Sequence, residues 1–384
     1  METFDVGVIG AGIHGASAAY HLAARGVRTV VLERGTPASG PTGRSSAICR
    51  AYYTNGFLAE IARDSIDMFM RFEEIIGRSA DFRRTGALFL HAEEDREQVL
   101  EAVGKLNELD IPTEVLEPAE IHRRFPAFDL GGVGLGAWER DAGYADPSGA
   151  TYGLIEGACQ LGARLRLGAE VTRIEPRAGG GAVLVTSDGG VWGCARVLIA
   201  AGPWTGALAR QTGVELPLTV ERHIVGTFRW AGTRPVPLHA DLPGGYYLRP
   251  EGKSLFLVGP LHPAYPADPD DYPEGVSDTE LADLIRPVMR RLPELEQAEV
   301  HGGWASLYDV SPDWQPVIGE IGPGLFVDAG TSGHGFKLAP ALGRHVAALV
   351  MGELTDPALH QFGPQRFEQR LGLSAGYGEA RILG

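Results

Sequence analysis

Short apolar runs and helical stripes alternate along the chain. Phe4-Asp5-Val6-Gly7-Val8-Ile9 has the β-forming character of a buried strand and stops at Gly10-Ala11-Gly12-Ile13-His14-Gly15. Small and apolar residues follow at helical spacing (Ala16, Ala19, Tyr20, Leu22, Ala23) as far as Gly26, and Val27 to Leu32 reads as a second buried strand ending on Glu33. Thr36 to Arg50 is a loop rich in Gly, Pro, Ser and Thr. Ala59 to Ile76 has the stripe of one amphipathic helix, Thr85 to Leu90 of a strand, Arg96 to Leu109 and Pro118 to Phe125 of helices, and Gly131 to Gly136 of a turn and strand leading to Trp138. Asp146-Pro147-Ser148 caps a helix from about Gly149 to Leu161. Leu165 to Ile174, Ala182 to Thr186 and the run from Val197 into Gly202-Pro203-Trp204 read as strands. Leu216 to Trp230 and Gly244 to Val258 are strand-rich, Pro260 to Pro273 is a proline-heavy loop, and Asp278 to Arg291 is a helix. Gly324 to Ala329 is a strand that enters Gly330-Thr331-Ser332-Gly333-His334-Gly335, before a helix from about Ala339 to Met351.

The first forty residues carry a specific meaning. Strand, glycine turn, helix, strand and acid is the dinucleotide-binding fingerprint. Gly10 permits the tight turn, Gly12 lets the backbone approach a pyrophosphate at the positive end of the helix, and Gly15 lets the helix lie close to the strand. Glu33 falls 21 residues after Gly12, at the spacing of a carboxylate that accepts ribose hydroxyls. Nucleotide-type segments recur in the middle and at the end, with strand-rich segments between them. This predicts one discontinuous nucleotide-binding domain (1–85, 146–215 and 313–384) and a substrate domain inserted as 86–145 and 216–312.

Composition narrows the class. With 384 residues, 44% hydrophobic and 22% charged, two domains are the default. The net charge of −15 disfavours nucleic acid and anionic membranes as partners. Cys49, Cys159 and Cys194 show neither metal spacing nor a disulfide framework, which predicts a reducing compartment and no metal. The start Met1-Glu2-Thr3 lacks a basic leader region, and no apolar run reaches membrane-spanning length, so a cytoplasmic location is expected.

The order of these pieces resembles the FAD-dependent amine oxidoreductases of the D-amino acid oxidase and sarcosine oxidase family over nearly the whole chain. The resemblance rests on Gly10 to Gly15 with Glu33, on Thr42-Gly43-Arg44-Ser45-Ser46, and on Ala200-Ala201-Gly202-Pro203-Trp204. Gly302-Gly303-Trp304-Ala305-Ser306-Leu307-Tyr308 and Ser332-Gly333-His334-Gly335-Phe336-Lys337 complete it. It implies an α/β fold: a Rossmann-type FAD-binding domain of the glutathione-reductase kind, with an inserted α+β substrate domain on a mixed or antiparallel sheet. By the same resemblance, Gly10, Gly12, Ile13, His14 and Gly15 hold the pyrophosphate, Glu33 the ribose, and the strand at Glu170-Val171 meets adenine through its backbone. Arg44-Ser45-Ser46 lies along the flavin. Gly333, His334, Gly335, Phe336 and Lys337 face its pyrimidine side, where a helix start stabilises negative charge. Arg34, Gly202 and Trp204 complete the expected cofactor set.

Two branches of the family differ in how they grip the substrate. In the branch of the D-amino acid and glycine oxidases an arginine follows the Trp-Ala segment; Tyr308 stands there. In the sarcosine oxidase branch the grip comes from an early-loop arginine and a lysine after Gly-His-Gly-Phe, which match Arg50 and Lys337. Two buried cations facing one cavity are costly without an anion, and a substrate carboxylate supplies one. Tyr247 resembles a site tyrosine of that branch. The implied reaction is oxidation of a sarcosine-like secondary or N-methyl amino acid, with Arg50, Lys337, Tyr247 and Tyr308 as its catalytic set. Hydride passes to flavin N5, the imine product hydrolyses, and O2 is the expected acceptor. The alternative is a dehydrogenase subunit for D-amino acids or secondary amines that passes electrons to a protein partner. Ser306 replaces the cysteine through which some relatives tether flavin, so noncovalent FAD is expected. Leu257 falls where simple sarcosine oxidases carry the lysine that assists reaction with O2.

Overall fold

A computed structural model describes residues 1–232, 236–262, 264–373 and 376. Pro263 in the proline-heavy loop and the last stretch of the expected nucleotide domain, 377–384, lie outside the described residues.

The first strand, Glu2–Ile9, runs parallel to Thr29–Leu32 on one side and to Val191–Ile199 on the other. The sheet continues through Arg164–Arg166 beyond Thr29–Leu32, and through Ala182–Thr186 and Val171–Pro176 beyond Val191–Ile199. Leu325–Ala329 lies parallel to the end of Val191–Ile199 and carries Val317–Gly322 antiparallel to it. The central strands are apolar on both faces because both are covered. On one face the helix Ile13–Ala23 packs against Pro147–Gln160 and Ala339–Met351. Its alanines and Gly15 allow that closeness: a Cβ at Gly15 would stand 2.1 Å from the Gly10 carbonyl oxygen.

A second sheet of nine strands holds Ala87–His91, Thr113–Leu116, Leu135–Glu139 and six strands between Thr219 and Val310. It is antiparallel except where His239–Asp241 runs parallel to Ala87–His91. The helix Asp278–Arg291 begins with a capping box between Ser277 and Glu280 and is anchored to this sheet by the buried ion pair Arg291–Asp241 at 2.7 Å. A small sheet of Ile48–Cys49, Gly143–Tyr144 and Arg83–Arg84 lies apart from both.

Two expected elements are split. The helix predicted from Ala59 to Ile76 is Gly56–Met70 and Phe72–Ile76. Arg71 leaves helical geometry, and the break keeps both Phe69 and Phe72 buried. The strand predicted from Leu165 to Ile174 is Arg164–Arg166 and Val171–Pro176, separated by a turn in which Gly168 has φ +67°. The two halves serve different neighbours, Thr29–Leu32 and Ala182–Thr186.

Candidate flavin and substrate site

A cavity of ≈ 560 Å³ opens at the carboxyl ends of Glu2–Ile9, Thr29–Leu32 and Val191–Ile199, the end at which doubly wound sheets bind ligands. Gly10, Gly12, Ile13, His14, Glu33, Arg34, Arg44, Ser45, Ser46, Val171, Gly202, Trp204, Gly333, Gly335 and Phe336 line it. Gly15 lies behind the wall and serves packing.

Glu33 is committed to the backbone. Its two oxygens accept N–H bonds from Ala11 and Gly35, both at 2.7 Å, and so fix the glycine turn. A carboxylate has further lone pairs for ribose hydroxyls. Arg34 and Arg44 grip a crossing segment: Arg34 stacks on Trp204 at 3.7 Å and pairs with Asp270 at 3.2 Å, while Arg44 bonds the Tyr272 hydroxyl and pairs with Glu274 at 2.8 Å. Pro269, Tyr272 and Glu274 line the cavity, so the proline-heavy loop forms a strap along it. Nothing local in the sequence connects that loop to Arg34 or Arg44.

A smaller cavity of ≈ 60 Å³ adjoins the first and shares Ser45, Ser46, Tyr247, Tyr308, Gly333 and Phe336 with it. Arg50 and Lys337 both line this smaller space. Its other walls are mostly apolar, with Ile48, Phe89, Leu238 and Leu261, and its described lining includes no carboxylate. Arg50 donates to the Tyr52 carbonyl at 2.6 Å and stands 4.6 Å from the Tyr53 ring. Burial, reinforced by the Arg50 charge, holds Lys337 well below an ordinary lysine.

Tyr308 is backed by Gly333, where φ is +84° and a Cβ would stand 2.3 Å from its ring. No other residue fits there. Burial raises both Tyr247 and Tyr308, whose hydroxyls interact. The His334 side chain is turned away from both cavities and spans the Trp314 carbonyl (2.9 Å) and the Tyr53 hydroxyl (3.3 Å). Burial and the charges of Lys337 and Arg50 push it down to about 3, which leaves it neutral. Only its backbone belongs to the loop facing the large cavity.

Two features were not apparent in the sequence. Glu139, fully buried, accepts from the Ala51 and Tyr52 N–H groups at 2.8 and 3.0 Å and so shapes the backbone beside Arg50. Burial pushes its carboxyl up to about 7, against those N–H groups and the Arg50 charge. His223 stacks on Tyr308 with ring centres 3.8 Å apart and bonds Glu221 at 3.1 Å. Among the described residues no cluster of His, Cys, Asp or Glu is placed to hold a metal ion, and no helix is long and apolar enough to cross a membrane.

The residues of the large cavity fit an FAD: a fixed acid at the ribose position, a glycine turn with the positive end of a helix, and a second glycine loop opposite. Comparisons agree. The DAO family model, FAD dependent oxidoreductase, matches residues 5–349. The chain is 29% identical to 4-methylaminobutanoate oxidase (formaldehyde-forming) of Paenarthrobacter nicotinovorans, over 90% of this chain and 43% of that protein. It is 28% identical to the monomeric sarcosine oxidase of Streptomyces avermitilis, over 95% of this chain and 98% of that one. The crystal structure of L-proline dehydrogenase from P. horikoshii superposes with a TM-score of 0.87 at 26% identity, covering 96% of this chain and 99% of the other. The chain spans less than half the length of several curated relatives that it matches.

Proposed function

The chain belongs to the DAO family of FAD-dependent oxidoreductases, and from that premise we propose that it oxidises a sarcosine-like secondary or N-methyl amino acid. The observation that carries the reading is the convergence of Arg50 and Lys337 on one small cavity that opens onto the flavin-sized one. Arg50 and Lys337 hold the substrate carboxylate. Tyr247 and Tyr308, shared by both cavities, set the amine at the junction, and the apolar walls exclude water and a second charge. Bound FAD supplies N5 as hydride acceptor. The α C–H bond breaks with its electron pair, the nitrogen lone pair forms the imine, and water then releases the amine and a carbonyl product. Positioning supplies much of the rate, and no side-chain base is required.

Cofactor contacts follow the lining: Glu33 and Val171 on the adenosine side, Gly10, Gly12 and Ile13 at the pyrophosphate, and Ser45, Ser46, Gly333, Gly335 and Phe336 at the flavin. Ser306 lines the cavity where a tethering cysteine would stand, so FAD is held noncovalently and acid precipitation leaves all the yellow colour in the supernatant.

The acceptor in this reading is O2. A second reading, electron transfer to a protein partner, is favoured by Leu257, which is buried in the sheet opposite Thr227 and Arg249 and lines neither cavity. Anaerobic titration with sarcosine, N-substituted glycines and D-amino acids, read by flavin bleaching, tests the reaction. Oxygen-electrode traces beside dye reduction assign the acceptor. A flavin that no amino acid bleaches defeats the proposal.

A further inference from the structure

His14 stands in the first turn of the helix Ile13–Ala23, where the helix dipole opposes a positive charge. Its neighbours nevertheless require one. Nδ1 lies 2.9 Å from both carboxylate oxygens of Asp328, and Nε2 lies 3.1 Å from the Gly335 carbonyl oxygen. A carboxylate and a carbonyl both accept, so each ring nitrogen carries a proton. His334 shows the contrast: it faces one acceptor and one hydroxyl, and a neutral ring satisfies both. Burial alone would discharge His14, but the charge and hydrogen bond of Asp328, helped by Asp309 and the Gly335 carbonyl, outweigh it and raise the group.

The three partners come from distant parts of the chain. His14 belongs to the first glycine turn, Asp328 to the strand Leu325–Ala329, and Gly335 to the second glycine loop. The approach is close enough to fix a residue type, since a Cβ at Gly335 would stand 2.7 Å from His14 Nε2. The Gly335 carbonyl also accepts from Leu338 and Ala339 N–H, both at 3.0 Å, so His14 is tied to the start of the last long helix. Asp309 holds the same loop from its other side through Gly330 N–H at 2.6 Å.

We propose that His14 is a positioning residue: an imidazolium cross-brace that locks the second glycine loop to the first and so sets the loop's N–H groups against the flavin pyrimidine. This rests on the flavin reading above. It departs from the expectation that His14 contacts the pyrophosphate, because both of its nitrogens are occupied by the protein. Without the brace the loop loses its aim, and the anionic character of reduced flavin is less well stabilised.

The first test needs no cofactor. In protein labelled with 15N-histidine, the His14 signal, identified by its loss in His14→Gln, shows both nitrogens still protonated above the pH at which an ordinary imidazole loses its proton. Asp328→Asn leaves the ring to its burial, so His14 gives up one proton below the pH at which an ordinary imidazole does. The second test measures FAD affinity and the midpoint potential of bound FAD. His14→Gln raises the FAD Kd by tenfold or more, as for loss of a hydrogen bond to a charged group, and lowers the potential. The double variant with Asp328→Asn is no worse than the worse single one. A singly protonated His14 in the native protein overturns the brace, as does an unchanged potential in the variant. A native protein that binds no FAD instead overturns the flavin reading, and the titration reveals this before any variant is made. If His14→Gln does not fold, the native and Asp328→Asn spectra decide alone.

Discussion

If Lys337 holds the carboxylate as proposed, substrate binding is coupled to the proton. The Lys337 ammonium is disfavoured in the empty site by burial and by Arg50, and a bound carboxylate restores it. Affinity for an unreactive carboxylate inhibitor therefore falls as pH rises through the lowered pKa, by about tenfold per pH unit at the limit. Lys337→Met flattens that profile, and flavin difference spectra report both; a flat native profile removes Lys337 from the anion site. The same variant loses about 2–5 kcal/mol in kcat/KM, the range for truncating a buried charge partner, while FAD binding persists. Glu139→Gln places an amide where two backbone N–H groups need acceptors, so stability falls by about 1–3 kcal/mol in urea unfolding, and the KM for the amino acid rises. At this scale the sequence was readable where residues sit in local motifs. Arg50 and Lys337 follow recognisable loops. Glu139 does not, because its partners Ala51 and Tyr52 are nearly ninety residues earlier.

Strand, glycine turn and helix were legible because their pattern is local: hydrophobic period, small residues, caps. Asp278–Arg291 and Ala339–Met351 lie where the stripes place them. The split at Arg71 and the turn at Gly168 were not legible, since both answer to neighbours in space. The strap shows the same limit, for a proline-heavy stretch reveals length and stiffness but not which arginines hold it. One element-scale prediction follows from Gly333. Gly333→Ala forces a Cβ toward the Tyr308 ring at an unfavourable φ, which costs about 1–2 kcal/mol in backbone energy alone. It displaces Tyr308 from the cavity junction. Unfolding midpoint falls, and kcat falls more than FAD affinity; an alanine variant with native kcat would show that the loop has slack.

Across the whole molecule, FAD binding and folding are linked, because the cavity is walled by both glycine loops, the second sheet and the strap. FAD at a hundred times its Kd adds about 2.7 kcal/mol to stability, and thermal unfolding followed against FAD concentration checks this. Because the strap lies along the cavity, its release is expected to set how fast that equilibrium is reached. Its clasps, Arg34–Asp270 and Arg44–Glu274, are partly exposed ion pairs, which dissolved ions screen. Brine thus works as a key: a preparation washed in concentrated salt bleeds its pigment sooner than one kept dilute, and Asp270→Asn fades quickly in either.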